Sequence, residues 1–170
     1  MTLHPIFAAV VAAMLTTTAA LPARADGHID RTDPDATAAA VIKAFLKEDG
    51  PAVAALFNEI NQRAVPQFMT LAPGDPEWDD LWSDWRQAGL DAFDGSILPA
   101  RLSAEDGTEA VIPFAYDGES GATSIREGCP DSCRYLVIVL TLDDYDDTTW
   151  GFEDINGFPV GRYQNADPVN

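Results

Sequence analysis

The two cysteines of the chain are the residues whose spacing points most directly to chemistry. Cys129 and Cys133 are separated by three residues and precede the apolar segment 135–142. Thioredoxin-type redox pairs use C-x-x-C at the start of a helix, whereas a strand pattern follows here. Zinc needs about four ligands, and beyond the first 25 residues the only histidine is the distant His28. We therefore predict a Cys129–Cys133 disulfide, which closes a small loop and contributes roughly 2 kcal/mol.

An acidic run at residues 143–147 is the nearest approach to a metal site. It places four aspartates in five positions but lacks the central glycine and distal glutamate of an EF-hand loop. It also joins two predicted strands, where aspartate is a common turn residue. The sequence has no G-x-S-x-G motif, no phosphate-binding glycine loop and no histidine to activate a serine. We predict no dedicated metal site and no cofactor.

The overall charge excludes two classes of partner. The formal net charge is −18. Nucleic acid requires clustered lysine and arginine, so we predict no nucleic-acid partner, and docking on anionic lipid is equally disfavoured. A surplus of acidic residues is typical of a soluble protein whose copies repel one another. Its more specific interpretation is a cationic ligand or a divalent metal ion.

The first 25 residues have the layout of a secretory signal peptide. Segment 5–20 is uncharged and mostly apolar, and the small-x-small sequence Ala23-Arg24-Ala25 follows. This segment is shorter than the roughly 20 residues that a membrane-spanning helix needs. We expect cleavage between Ala25 and Asp26, which leaves no stable membrane anchor and a periplasmic or secreted protein. Residues 26–32 are then expected to form a flexible tail.

Three segments begin with a residue that can cap a helix and that precedes a proline. These residues are Asp33, Asp49 or Gly50, and Asp75. Proline suits the first helical position because its missing N–H would have no partner there. Apolar residues then recur with helical spacing in each segment. The third segment carries three tryptophans on one stripe, which predicts core packing, with an aromatic cage for a ligand as the alternative: Trp78, Trp82 and Trp85.

After Gly95 the pattern changes to short segments rich in β-branched and aromatic residues, which predict strands. The predicted strands cover residues 96–103, 108–117, 133–142 and 148–156. Because no helix separates them, we predict an α+β fold, with N-terminal helices packed on a curved antiparallel sheet of about four strands. One domain at 33–158 and an irregular C-terminal tail at 159–170 complete the prediction.

The last predicted strand carries a W-x-F-x-D-I sequence, formed by Trp150, Phe152, Asp154 and Ile155. With the preceding helices and strands, it resembles the cystatin-like, nuclear-transport-factor-2-like superfamily over residues 33–156. The resemblance implies a cone of sheet and helices around a pocket. Members of this superfamily include isomerases, dehydratases and dimerising modules, so the fold alone does not give the function.

The resemblance also implies where catalytic groups would lie. Enzymes of the superfamily keep polar groups inside the cone, often an aspartate with a tyrosine or a histidine. On the predicted strands this points to Asp154 as a base, with Tyr116 and Tyr135 as the hydroxyl groups. A local structural role for Asp154 at the strand end is the interpretation we favour.

From these observations we expect an exported accessory protein without catalysis. It would bind a small ligand in the sheet concavity, or assemble as a homodimer through the outer sheet face. The alternative is a cofactor-free lyase or isomerase of the ketosteroid-isomerase type that uses Asp154 as its base.

Overall fold

The structure, a computed structural model, describes residues 29–116, 133–142 and 148–169. The predicted signal peptide therefore lies outside the described residues. Within them, a four-stranded antiparallel sheet has the order β1-β2-β3-β4, and the predicted α+β class is confirmed. The elements follow one another as α1 (Pro34–Leu46), α2 (Gly50–Ala54), α3 (Val65–Thr70), α4 (Pro76–Gln87), β1 (Arg101–Leu102), β2 (Glu109–Tyr116), β3 (Arg134–Leu142), β4 (Trp150–Pro159) and α5 (Val160–Asn165).

The aspartate–proline pattern locates three helix starts. The Asp33 carboxylate accepts hydrogen bonds from two first-turn amides of α1, at 2.9 and 3.3 Å. Asp49 accepts one from the Ala52 amide of α2 at 3.1 Å. Asp75 precedes α4 but caps none of its amides, because its carboxylate accepts from the Ala72 amide at 2.9 Å instead. All three predicted helix starts are confirmed, with Asp33, Asp49 and Asp75 at the N-cap positions, although the Asp75 side chain bonds to no amide of α4.

The second predicted helix is much shorter than its apolar spacing indicates. It ends at Ala54, and the segment 56–58 then runs along the outer edge of β4. The Phe152 amide donates to the Leu56 carbonyl at 2.6 Å, and the Asn58 amide donates to the Phe152 carbonyl at 3.0 Å. This pairing satisfies backbone groups that a free sheet edge would expose, and that gain outweighs continuation of a helix.

The C-terminal residues cover the opposite edge of the sheet. The Leu102 amide of β1 donates to the Asp167 carbonyl at 2.8 Å, and the Val169 amide donates to the Ala100 carbonyl at 3.4 Å. The prediction of an irregular tail over residues 159–170 was therefore wrong. Helix α5 and the paired segment 167–169 are held by the sheet itself.

The helices bury an aromatic core against one face of the sheet, called here the helix face. Phe45 of α1 lies at its centre, with its ring 5.5 Å from Phe152 of β4 and 5.5 Å from Trp82 of α4. Trp78 and Trp82 are only 4% and 2% exposed. Core packing of these two tryptophans is confirmed, whereas Trp85 is half-buried at the margin of the same cluster.

Helix α5 packs on the opposite face of the sheet, called here the outer face. Val160 and Tyr163 of α5 join a second apolar cluster with Tyr135, Val137 and other residues of the central strands. Strand β3 is thus covered on both faces, which is one of the two arrangements that its uninterrupted apolar sequence predicts; the other is a strand that lines a pocket. Part of the face expected to form a homodimer is consequently occupied by a helix of the same chain.

Two β-bulges change which face of the sheet the side chains beyond them point to. One lies between Pro113 and Ala115 of β2, where the proline predicts an interruption of the ladder. The other gives β4 an extra residue, Glu153, between Phe152 and Asp154. A bulge leaves one residue unpaired and shifts the alternation of side chains beyond it. Both shifts determine where the predicted site residues lie.

No helix within the described ranges reaches the length and apolarity that crossing a membrane would require.

Candidate functional site

An open groove of about 670 Å³ lies where the first turn of α1 meets the sheet. Its apolar floor belongs to the helix-face core and comes from three strands and the C-terminal segment. The floor residues are Leu102, Leu142, Trp150 and Val169. Its rim includes Thr32, Asp33 and Thr148. Elsewhere in the described part of the chain, packed aromatic rings fill much of the helix face, whereas this groove is open to a ligand.

The chain that enters α1 is fastened to the first residue of β4 beside this groove. The Trp150 amide donates to the Arg31 carbonyl at 2.8 Å. The Arg31 Nε donates back to the Trp150 carbonyl at 2.9 Å. These two bonds hold Thr32 and Asp33 next to the indole of Trp150. The end of the segment 26–32 is therefore anchored, contrary to the prediction of a flexible tail, while residues 26–28 lie outside the described residues.

Several acidic residues are close in sequence to the residues that line the groove. Asp33 is exposed, and Asp30 beside it accepts hydrogen bonds from Thr32. Asp35 in the first turn of α1 accepts a bond from the Ala100 amide at 2.7 Å. Burial raises the pKa of Asp35 above its ordinary value, and the charge of Asp33 adds to this effect. Asp106 directly precedes Gly107, which lines the groove.

Tyr116 and Tyr135 lie together on the outer face and not beside the groove. The bulge in β2 pairs the two residues across the strands, with 4.7 Å between their ring centroids and 3.2 Å between their hydroxyl oxygens. Tyr163 of α5 packs edge-on against Tyr135 and donates its hydroxyl to the Pro99 carbonyl at 2.7 Å. Burial raises the pKa of Tyr163. All three rings are at most 3% exposed, so this cluster supports the fold.

Asp154 does not face a pocket. Regular alternation along β4 would put Asp154 on the same face as Trp150 and Phe152. The bulge at Glu153 shifts it to the outer face instead, opposite Val139. There it is exposed, and its Oδ1 accepts a hydrogen bond from the Ile155 amide at 2.7 Å. The side chain therefore lies away from the groove, and the local structural role is the interpretation that the geometry favours.

Sequence reasoning missed a pair of glutamates on the outer face. Burial raises the pKa of Glu153, and the nearby charges of Glu109 and Asp154 raise it further. The Ser103 hydroxyl donates to the Glu109 carboxylate, while the Glu153 Oε2 is buried without a partner among the described residues. The pair depends on the register of three strands and on the bulge, so no local sequence signal could have revealed it.

The remaining predicted sites lie wholly or partly outside the described residues. The acidic run 143–147 is among them, as is Cys129. Cys133 directly precedes β3 and is not a free thiol in the described part of the chain. The pairing of the two cysteines stays a prediction. Within the described ranges, no group of three or more His, Cys, Asp or Glu side chains is placed to hold a metal ion.

Comparison of the chain with family models, with curated proteins and with solved structures finds no match. The resemblance to the cystatin-like superfamily therefore stays a prediction.

Proposed function

We propose that this is an exported protein, periplasmic or secreted, that binds a small molecule in the groove at the start of α1 and does not catalyse its conversion. The observation that carries the proposal is the groove itself, about 670 Å³ in volume, with an apolar floor and a polar rim. Ligand pockets typically have volumes of about 300–1,000 Å³ and combine apolar walls with a few polar groups that orient the ligand.

The location of the groove supports binding because its walls are fixed from several directions. Strand β1 contributes Leu102, strand β3 contributes Leu142, and the paired C-terminal segment contributes Val169. The fourth wall comes from Trp150 of β4, whose backbone is hydrogen-bonded to Arg31. A site formed by elements that are already hydrogen-bonded loses little conformational freedom when a ligand enters, and this favours affinity.

The competing proposals receive less support from the geometry. A lyase or isomerase needs convergent polar groups next to its substrate, but Asp154 and the tyrosines lie on the outer face, away from the groove. Self-assembly through the outer face would have to use the part that α5 leaves uncovered, which includes the exposed residues Asp154 and Asn156. Like charges brought together in a symmetric contact oppose such an interface.

The test uses the neutral apolar dye N-phenyl-1-naphthylamine, whose fluorescence rises in apolar surroundings, with protein that begins at Asp26. Thr148 on the rim is exposed, and Thr148→Trp would place an indole across the groove. Thr70→Trp makes the same change at an exposed position of α3 that does not line the groove. We expect saturable one-to-one binding by the parent and by Thr70→Trp, with an affinity at least about tenfold lower for Thr148→Trp.

Equal affinities of the two tryptophan variants, or no saturable binding by the parent, would refute the proposal. Export is tested separately by the intact mass of the protein recovered from the periplasm or medium. Exported protein that retains residues 1–25 would contradict cleavage between Ala25 and Asp26.

A further inference from the structure

We infer that the ligand of the groove is an organic cation, a protonated amine attached to an apolar body, with Asp33 as its counter-ion. This inference rests on the proposed function, because it concerns the same groove. It starts from the lining residues, and among those that the structure describes, Asp33 is the only one with a charged side chain. The apolar body would lie against Trp150, Leu102 and Leu142.

The hydrogen bonds of Asp33 leave one of its oxygens available. Both amides of α1 that bond to this carboxylate donate to Oδ1, from Asp35 at 2.9 Å and from Ala36 at 3.3 Å. The second oxygen, Oδ2, has no hydrogen-bond partner among the described residues. Because Asp33 is exposed and lines the groove, Oδ2 can accept a bond from an ammonium group placed there. A hydrogen bond between two charged groups is stronger than one between neutral groups.

The same contacts disfavour an anion. A helix N-terminus attracts an anion through its free amides, but the Asp33 carboxylate already occupies amides of the first turn. Arg31 is a half-buried cation nearby, but it is not among the residues that line the groove, and its Nε is bonded to the Trp150 carbonyl. The acidic neighbours Asp30, Asp35 and Asp106 and the net charge of −18 add a negative field around the groove, which would raise the local concentration of a cation.

The experiment compares three probes that share one apolar body and differ in charge: 2-naphthylmethylammonium, 2-naphthylmethanol and 2-naphthoate. Binding is followed by NMR through the indole N–H signal of Trp150, assigned with the Trp150→Phe variant. The other tryptophans, all on α4, are internal controls whose signals should not move. In the parent protein we expect the ammonium to bind about tenfold more tightly than the alcohol, and the naphthoate to bind more weakly than either.

Asp33→Asn is the decisive variant. Asparagine caps a helix as well as aspartate does, so the fold and the shape of the groove should be retained while the charge is lost. We expect Asp33→Asn to reduce the affinity for the ammonium to that for the alcohol and to leave the alcohol unchanged. Asp84→Asn, at an exposed position of α4, removes one negative charge away from the groove and should preserve the preference.

The outcomes separate the two proposals. If the alcohol or the naphthoate binds as tightly as the ammonium, or if Asp33→Asn keeps the preference, the inference about charge is refuted while small-molecule binding stands. If none of the three probes moves the Trp150 signal, the groove does not take such ligands and both proposals fail.

Discussion

Gly151 of β4 lies directly against the backbone of Asn58. A β-carbon at Gly151 would lie 2.5 Å from the Asn58 Cα and 2.7 Å from its amide nitrogen. This close approach lets Asn58, which is 1% exposed, donate its Nδ2 to the Thr141 hydroxyl at 2.6 Å and accept the Asn61 amide at 2.9 Å. Because Gly151 has no side chain, the segment 56–58 can pack directly against the sheet.

The first prediction concerns this contact. Gly151→Ala must push Asn58 away from β4, and we expect a loss of about 1–3 kcal/mol, as for other overpacked interiors. Gly157→Ala is the matched control in the same strand, because its β-carbon would meet only the Arg134 side chain at 3.5 Å. Thermal melting of both variants beside the parent provides the measurement. Equal midpoints for the two variants would show that Asn58 does not constrain Gly151.

The second prediction concerns Cys129 and Cys133. Protein isolated from the cell envelope should react with a thiol reagent only after reduction. Because the loop is short, reduction should lower the melting midpoint by no more than a few degrees. The double variant Cys129→Ser/Cys133→Ser should match the reduced parent. Two reactive thiols in freshly isolated protein, or unfolding on reduction, would contradict the disulfide prediction.

The third prediction follows from the raised pKa of Glu153, which burial causes with help from Glu109 and Asp154. A carboxyl group whose pKa is higher in the folded than in the unfolded protein favours folding when it is protonated. Its contribution is therefore greatest below the unfolded-state pKa and is lost as the pH rises through the folded-state pKa. We expect Glu153→Gln to be more stable than the parent at pH 7, and the difference to diminish below pH 4.

The control for this prediction is Glu105→Gln, which removes the same charge at an exposed position of the turn before β2. Chemical denaturation at several pH values measures the unfolding free energy of each variant. If Glu153→Gln and Glu105→Gln shift stability equally at every pH, the effect comes from net charge and not from the buried Oε2 of Glu153.

The sequence predicted those elements whose signals are local. Asp33 with its following proline marked the start of α1, and the continuous apolar run of β3 marked a strand that is covered on both faces or lines a pocket. Helix α3 was missed because six residues are too few to show a periodic pattern. Helix α5 was missed because its sequence contains glycine and follows a proline. It forms because Val160 and Tyr163 are buried against the sheet, and tertiary packing commonly outweighs propensity in this way.

The candidate site was harder to predict than the fold. Asp154 was assigned to the wrong face because strict alternation does not allow for the bulge at Glu153, and a bulge becomes visible only through the register with the neighbouring strand. The groove draws its lining from segments as distant in sequence as Thr32 and Val169. Its existence depends on how the two ends of the chain are paired with the sheet, and no local motif encodes that pairing.

The last prediction distinguishes the core tryptophans from an exposed aromatic cage. Trp82 is 2% exposed, and its ring packs edge-on against Phe45 and Phe68 at centroid distances of 5.5 and 5.7 Å. Removing a buried aromatic side chain costs about 3–5 kcal/mol. In a protein of this size, 1 kcal/mol moves the melting midpoint by roughly 2–4 °C. We therefore expect Trp82→Ala to melt several degrees below the parent or to fail to accumulate.

Trp82→Phe provides the graded comparison for this prediction. It keeps an aromatic ring against Phe45 and removes an indole N–H that is buried without a hydrogen-bond partner among the described residues. Since the polar group that disappears is already unpaired, only packing area is lost, and Trp82→Phe should retain much of the stability that Trp82→Ala loses. Thermal melting of the parent and both variants supplies the measurement. A shift below about 2 °C for Trp82→Ala would place Trp82 at a solvent-exposed surface and return the aromatic stripe to consideration as a ligand site.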